Sequence, residues 1–298
     1  MLMNAATRLL LALMWLLHWL PLPVLAALGR ALGRLVWAFA HGRRKVALRN
    51  LELCLPELGA QQRRDIAREH FTLIGGSLLE YGITWYASRE RLMRLIHIEG
   101  DATLAERGGR PVMWLVPHFI ALEIAAVAVQ LFQSRPVVSV YMPASNPALD
   151  AVILRKRLRF GRGGRLYSRH ESARTLMRSV RQGYCFFNLP DMDFGPRDAA
   201  FVPFFGVSAA TLLAPSRLAR ALDMVVQPVL AEVLPGGRGW RVRFLDPLPD
   251  FPSDDALADT QRMNQWIEQE VRRMPAQYLW VHKRFKTRPK GEPSVYYD

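Results

Sequence analysis

Residues 112–124 read VMWLVPHFIALEI. A β-favouring apolar run stops at Pro117, one histidine follows, and one glutamate stands five positions later inside a second apolar run. The first run is short enough for a strand buried on both faces. Pro117 cannot donate to a sheet ladder and suits a corner. The residues after it are spaced for a helix. The stretch therefore reads as strand, corner, helix, with His118 at the corner and Glu123 about one turn in.

The same alternation repeats on either side. Short apolar runs recur at PVVSVYM (136–142), YCFFNL (184–189), MVVQPVLA (224–231) and WRVRFL (240–245). Helical spacing fills 119–132, 147–158, 170–182, 208–222 and 255–272, and also 60–85, where Gly75 and Gly76 weaken it. Strands alternating with helices predict an α/β domain with a central, mostly parallel sheet flanked by helices. Ligands in such sheets bind at the carboxyl ends of strands. His118 stands two residues past the end of the first clear run.

Within one continuous helix, five positions turn the chain by about 500°, leaving the two side chains ~140° apart. A histidine on the corner can instead fold its ring back toward Glu123. A carboxylate on one ring nitrogen fixes the tautomer and supports the imidazolium formed when the other nitrogen takes a proton. Such a pair is a general base for an alcohol. No Ser or Cys lies nearby in sequence, which favours direct attack by a substrate hydroxyl. The plainer alternative is a core histidine before a buried Glu, but an unpaired Glu in so apolar a run is costly.

The chain has 298 residues, 50% hydrophobic and 22% charged, which suits one globular domain with a large core, or one domain with a small appendage, and excludes disorder. The net charge of +14 points to a polyanionic partner. Cys54 and Cys185 are far apart and make neither a disulfide framework nor a zinc motif, so a reducing compartment fits. Residues 9–29 carry no formal charge and are long enough to cross a ~30 Å hydrocarbon core. Pro21 and Pro23 leave a kinked span or an embedded hairpin equally open, and a cleaved signal peptide is a rival. The cations from Arg30 to Arg49 place the bulk of the chain in the cytoplasm. The expected division is a membrane anchor over 1–40 and one domain over 41–298.

Ten cations stand between Arg155 and Arg181 against the single acid Glu171. They read either as a solvated face or as a surface for phosphates. Aromatic residues are not interleaved with them and no nucleic-acid module motif is present, so nucleic acid is not the expected partner.

Three further blocks complete the pattern: RRKVALRNLELCLPEL (43–58), LPDMDFGPRDAAFVPFFGVSAAT (189–211) and QYLWVHKRFKTRP (277–289). Together with H-x4-E they resemble the bacterial lipid A late acyltransferases (lauroyl/myristoyl type) of the lysophospholipid and glycerol-phosphate acyltransferase superfamily. The resemblance implies a glycerol-phosphate acyltransferase-like α/β fold behind an N-terminal membrane-anchoring helix, on the cytoplasmic face of the inner membrane. It implies transfer of an acyl chain from acyl carrier protein to a hydroxyl on an acyl group of a Kdo-modified lipid A precursor. His118 would be the base and Glu123 its orienting partner, with no metal and no cofactor. Acceptors such as a lysophospholipid, an aminolipid or another glycolipid would use the same pair.

The resemblance also marks Arg157, Arg159 and Arg169 as substrate-binding, and places Asp191 near the active site to position an arginine or a substrate hydroxyl. An Asx turn at Asp191 and Asp193 is the plainer alternative. Phe204, Phe205 and Leu212 read either as an acyl pocket or as core. The mixture of Trp280, His282, Lys283, Arg284, Lys286 and Arg288 suggests interfacial anchoring or a phosphate clamp.

Overall fold

The computed structural model describes residues 5–296. Two apolar helices come first, α1 (Ala5–Leu17) and α2 (Leu22–Phe39), followed by α3 (His41–Cys54), the long α4 (Ala60–Tyr86) and α5 (Arg89–Leu95). The α/β part then runs β1 (Ile96–Gly100), α6 (Leu104–Arg107), β2 (Val112–Leu115), α7 (Leu122–Phe132), β3 (Val137–Tyr141), α8 (Pro147–Arg157), β4 (Arg165–Ser168), α9 (Ala173–Arg181) and β5 (Cys185–Asn188). A hairpin follows, β6 (Ala199–Phe204) and β7 (Val207–Leu212), then α10 (Ala214–Ala221), β8 (Val225–Val233), β9 (Trp240–Phe244) and α11 (Ala256–Arg273).

Seven strands form one sheet in the order β1-β9-β8-β2-β5-β3-β4. Every pairing is parallel except β8 with β9. The fold is α/β with a mostly parallel central sheet, as the alternation predicts. All four residues of β2 are buried. Met113 and Leu115 face one core with Phe186, Val226 and Leu230, while Val112 and Trp114 face the other with Cys185, Phe187 and Val229. That double burial is why the run lacks polar alternation.

The structure decides the alternative left open at 9–29, and it departs from the expected elements at 208–212, at Gly75–Gly76 and in adding β1 and β4. Residues 9–29 are not one helix; the chain turns at 18–21 and Pro21 caps α2. Residues 208–212 belong to strand β7, and α10 begins only at Ala214. Gly75 and Gly76 do not interrupt α4, because both lie where α2 crosses it. A Cβ on Gly75 would fall 2.4 Å from Gly33 N, and one on Gly29 would fall 2.4 Å from Gly76 Cα.

α4 also carries a fully buried histidine, His70, whose Nδ1 bonds Ala276 O at 2.9 Å. Burial pulls its pKa from 6.5 to about 4. The unfolded chain takes up this proton as pH falls through 6.5, whereas the folded chain holds out until about 4. The neutral ring's contribution is therefore complete above pH 6.5 and is lost as pH falls toward 4. We expect His70→Gln to flatten the acid side of the stability profile relative to wild type. The difference, read by thermal unfolding at pH 7, 6, 5 and 4, should reach at most about 3 kcal/mol.

Candidate functional site

β2 and β5 are paired in parallel with Leu115 opposite Asn188. Each strand is followed by a short corner containing proline, Val116-Pro117 after β2 and Leu189-Pro190 after β5. The third residue past Leu115 is His118, and the third past Asn188 is Asp191. Equal offsets from a paired register bring the two side chains together at the carboxyl edge of the sheet. Asp191 is 1% exposed, and its Oδ1 lies 2.7 Å from His118 Nδ1. The backbone N–H of His118 also donates to the same carboxylate, at 3.0 and 3.2 Å to its two oxygens. The corner is stitched to the C-terminal segment: Ile120 N donates to Gln277 O at 2.8 Å, and Leu279 N to His118 O at 3.0 Å.

Burial alone would raise the Asp191 carboxyl. Attraction to His118, the hydrogen bonds from its ring and backbone, and the charge of Arg284 outweigh that and hold it below the usual carboxylate range. An ionised Asp191 only accepts, so Nδ1 of His118 carries a hydrogen, and in the neutral ring the lone pair stands on Nε2. Arg284 is itself buried, donating to Ala210 O at 2.8 Å and Thr211 Oγ1 at 2.7 Å.

Glu123 makes no hydrogen bond to the ring among the described residues. It lies in the first turn of α7 and both its oxygens are taken by Arg157, at 3.2 Å from Nε and in a second, shorter bond from Nη2. The reason is topological. α8 ends at Arg157 beside the start of α7, and a guanidinium fork matches a carboxylate in two-point geometry. The carboxylate that bonds the ring in this structure stands 73 positions away in sequence.

His118, Glu123, Arg157 and Arg169 nevertheless share one cavity of about 750 Å³. Its remaining wall is largely apolar, with Leu122, Ala126, Leu166, Leu176, Phe187 and Leu212 among the lining residues. Arg169 also lies 5.7 Å from the Phe194 ring. Arg159 is outside the lining: its guanidinium packs 4.0 Å over Phe160 and donates to Ala87 O, and burial lowers its pKa to about 10.

The other candidates separate by role. Asp193 forms the Asx turn, accepting from Gly195 N at 2.9 Å, and it ties down Thr287 through N and Oγ1, each at 2.8 Å. His282 Nε2 accepts from Asp193 N at 3.3 Å. Burial, with the charges of His118, Arg284 and Lys286, lowers its pKa to about 4. Trp280 and Arg284 are buried at 1% and 3%, so the 280–288 block is not an interfacial belt. Of the proposed acyl-pocket residues only Leu212 lines the cavity. Phe204 is core, and Phe205-Gly206 is a two-residue hairpin tip with both φ positive, packed on α11 by Phe205 N to Glu268 Oε1 at 2.7 Å.

Of the cysteine and serines that line the cavities beside the base among the described residues, Ser168 and Ser172 accept turn and cap bonds from His170 N and Arg174 N, which leaves Cys54 and Ser139. Burial pushes the Cys54 thiol far up, and the Ser139 hydroxyl donates to Phe187 O at 2.7 Å. Neither is activated, since thiolate character and an adjacent base are what make such groups attack.

The sequence matches the family described as bacterial lipid A biosynthesis acyltransferase over residues 1–287. Among its relatives, the lipid A biosynthesis lauroyltransferase of Escherichia coli K12 is 34% identical over 292 residues, covering 96% of this chain and 93% of the relative. The palmitoleoyltransferase of the same organism is 33% identical over 289 residues, covering 96% and 92%. Its myristoyltransferase is 33% identical over 278 residues, covering 92% and 83%. With this match over nearly its whole length, the chain belongs to the bacterial lipid A biosynthesis acyltransferases and is an acyltransferase of that pathway.

Proposed function

We propose that the protein moves a fatty acyl group from acyl carrier protein to a hydroxyl on an acyl chain of a Kdo-modified lipid A precursor, at the cytoplasmic face of the inner membrane. The observation that carries this reading is the tautomer-fixed His118 at a 750 Å³, largely apolar cavity. The acceptor hydroxyl attacks the thioester carbonyl carbon and gives its proton to Nε2 of His118. Asp191 stabilises the resulting imidazolium. The tetrahedral intermediate collapses, the carbon–sulfur bond breaks, and the imidazolium returns the proton to the departing thiolate. The products are an ester and a carrier thiol, with no acyl-enzyme between them.

The Glu123–Arg157 pair serves as a fixed cationic wall. Glu123 holds the guanidinium flat, and Arg157 remains available to anionic oxygens of a bound substrate. Arg169 supplies a second cation at the same cavity. Exposed Arg155, Arg162, Arg174, Arg178 and Arg181 extend a positive surface suited to an acidic carrier protein.

The test is mass spectrometry of lipid A from cells with the intact gene and from cells without it, joined to an in-vitro assay with acyl carrier protein and coenzyme A thioesters side by side. Loss of one acyl chain in the deficient strain, with activity on the carrier-protein thioester, supports the reading. Unchanged lipid A in a strain without a second copy would move the acceptor to lysophospholipid, aminolipid or another glycolipid. The chain length reported there leads to a further expectation. Ala126→Phe fills the cavity wall, and we expect it to disfavour the native donor by about tenfold or more against a donor shorter by two or more carbons. Competition between the two thioesters checks this.

A further inference from the structure

Leu9, Leu13, Leu16, Trp19, Leu35 and Phe39 form an exposed apolar face on α1, α2 and the turn between them. By length and composition α2 is able to cross a bilayer. The way it is held argues for another placement.

Both ends of α2 rest on the same globular body. At its start a Cβ on Gly237 would lie 2.5 Å from Pro23 Cα, so the turn after β8 touches it backbone to backbone. Arg91 of α5 donates to Leu20 O at 2.6 Å and also to His18 O, clasping the turn before α2. At its other end α2 leads straight into α3. Asn50 of α3 donates to Trp280 O and His282 O, each at 2.7 Å, beside the histidine site. Between these ends α2 runs antiparallel to α4: Gly29 meets Gly76, and Gly33 meets Phe71 and Thr72. α2 therefore crosses a membrane only if α4, α5 and the Pro235–Gly237 turn cross with it. Those elements expose Arg64, Asp65, Arg68 and Glu90.

A second observation is independent of the first. Arg30 and Arg34 are exposed and sit at the middle of α2. In a spanning helix they would lie at or close to the bilayer centre, the depth where a cation costs most. On a helix lying flat they reach outward to headgroup phosphates while Leu28 and Leu35 stay in the acyl region. Exposed Arg43 and Lys45 continue the cationic edge past Phe39, and exposed Trp15 and Trp19 suit the headgroup boundary.

We propose that α1 and α2 lie in the plane of a single leaflet with anionic headgroups, and that the whole chain stays on one side of the bilayer. The hairpin is then a float built into the catalytic domain rather than a tether leading to it.

Trp19→Cys tests this, because Cys54 and Cys185 are buried and give little background. A membrane-impermeant maleimide is applied to intact spheroplasts, to inverted inner-membrane vesicles, and after detergent. The expected result is no labelling from the periplasmic side, with labelling appearing in inverted vesicles or on detergent addition. Labelling of position 19 in intact spheroplasts overturns the proposal. A second readout is flotation of the purified protein with preformed vesicles of phosphatidylethanolamine and phosphatidylglycerol. Arg30→Gln with Arg34→Gln should weaken partitioning about twenty-five-fold, each surface cation contributing about fivefold. Unchanged partitioning of the double variant also overturns it. Neither readout involves acyl transfer, so failure here is distinct from failure of the proposed reaction.

Discussion

Asp191→Asn should lower kcat by about a thousand- to ten-thousandfold while the protein stays folded. The carboxylate does two things at once: it accepts the ring Nδ1–H at 2.7 Å and the backbone N–H of the same residue. An asparagine keeps the shape and one accepting oxygen, and the backbone bond takes it. The amide NH2 then faces Nδ1 and favours the tautomer with the hydrogen on Nε2. That removes the lone pair which receives the substrate proton, and it removes the negative charge that stabilises the imidazolium. Glu123→Gln breaks a different bond, the charge-assisted pair with Arg157, and should cost about ten- to a hundredfold. Measuring kcat against pH separates them. The glutamine variant should retain the shape of the wild-type acid limb, whereas the asparagine variant should not. If Asp191→Asn stayed within tenfold of wild type, the orienting role assigned to it would be lost.

The largest loss of stability is expected from Gly33→Leu. A Cβ there would sit 2.3 Å from Phe71 O and 2.4 Å from Thr72 Cα. These are helix backbone atoms and cannot rotate aside, so α2 must lift off α4. Overpacking of this kind costs about 1–3 kcal/mol where side chains give way, and more where only backbone is present. We expect more than about 3 kcal/mol. Gly42→Ala is the control: nothing lies within 4 Å of its Cβ position, and it is helical, so the change should be neutral or stabilising by up to about 1 kcal/mol. Thermal unfolding of the purified variants in detergent compares the two. Equal midpoints would mean that the glycine contacts do not hold the hairpin.

The parts of this architecture legible from sequence are those whose signal is local. β2, β5 and β8 are apolar runs because the sheet is covered on both faces there, β3 and the alternating β9 still carry a β pattern, and His118 is conspicuous because its neighbours are not polar. β1 and β4 were missed because they end the sheet, where burial is partial and the run IHIEG or RLYS carries little pattern. The stretch SAATL was misread because alanine favours helix, while pairing with β6 imposes a strand. Asp191 escaped as the ring's partner because periodicity sees only near neighbours. One signal was available: the runs before His118 and Asp191 both break into a proline immediately ahead of a polar residue, and parallel strands bring such corners together.

Equal offset from paired strands has a consequence for how this scaffold can change. The separation of His118 and Asp191 is set by the distance between neighbouring strands, about 4.8 Å, and by two three-residue corners. The cavity is lined from α7, α8, β4 and α9 as well, elements that supply neither His118 nor Asp191. Lengthening or refilling those walls alters what fits without moving the base or its carboxylate. In the proposed reaction, proton transfer and the choice of acyl chain therefore rest on different residues.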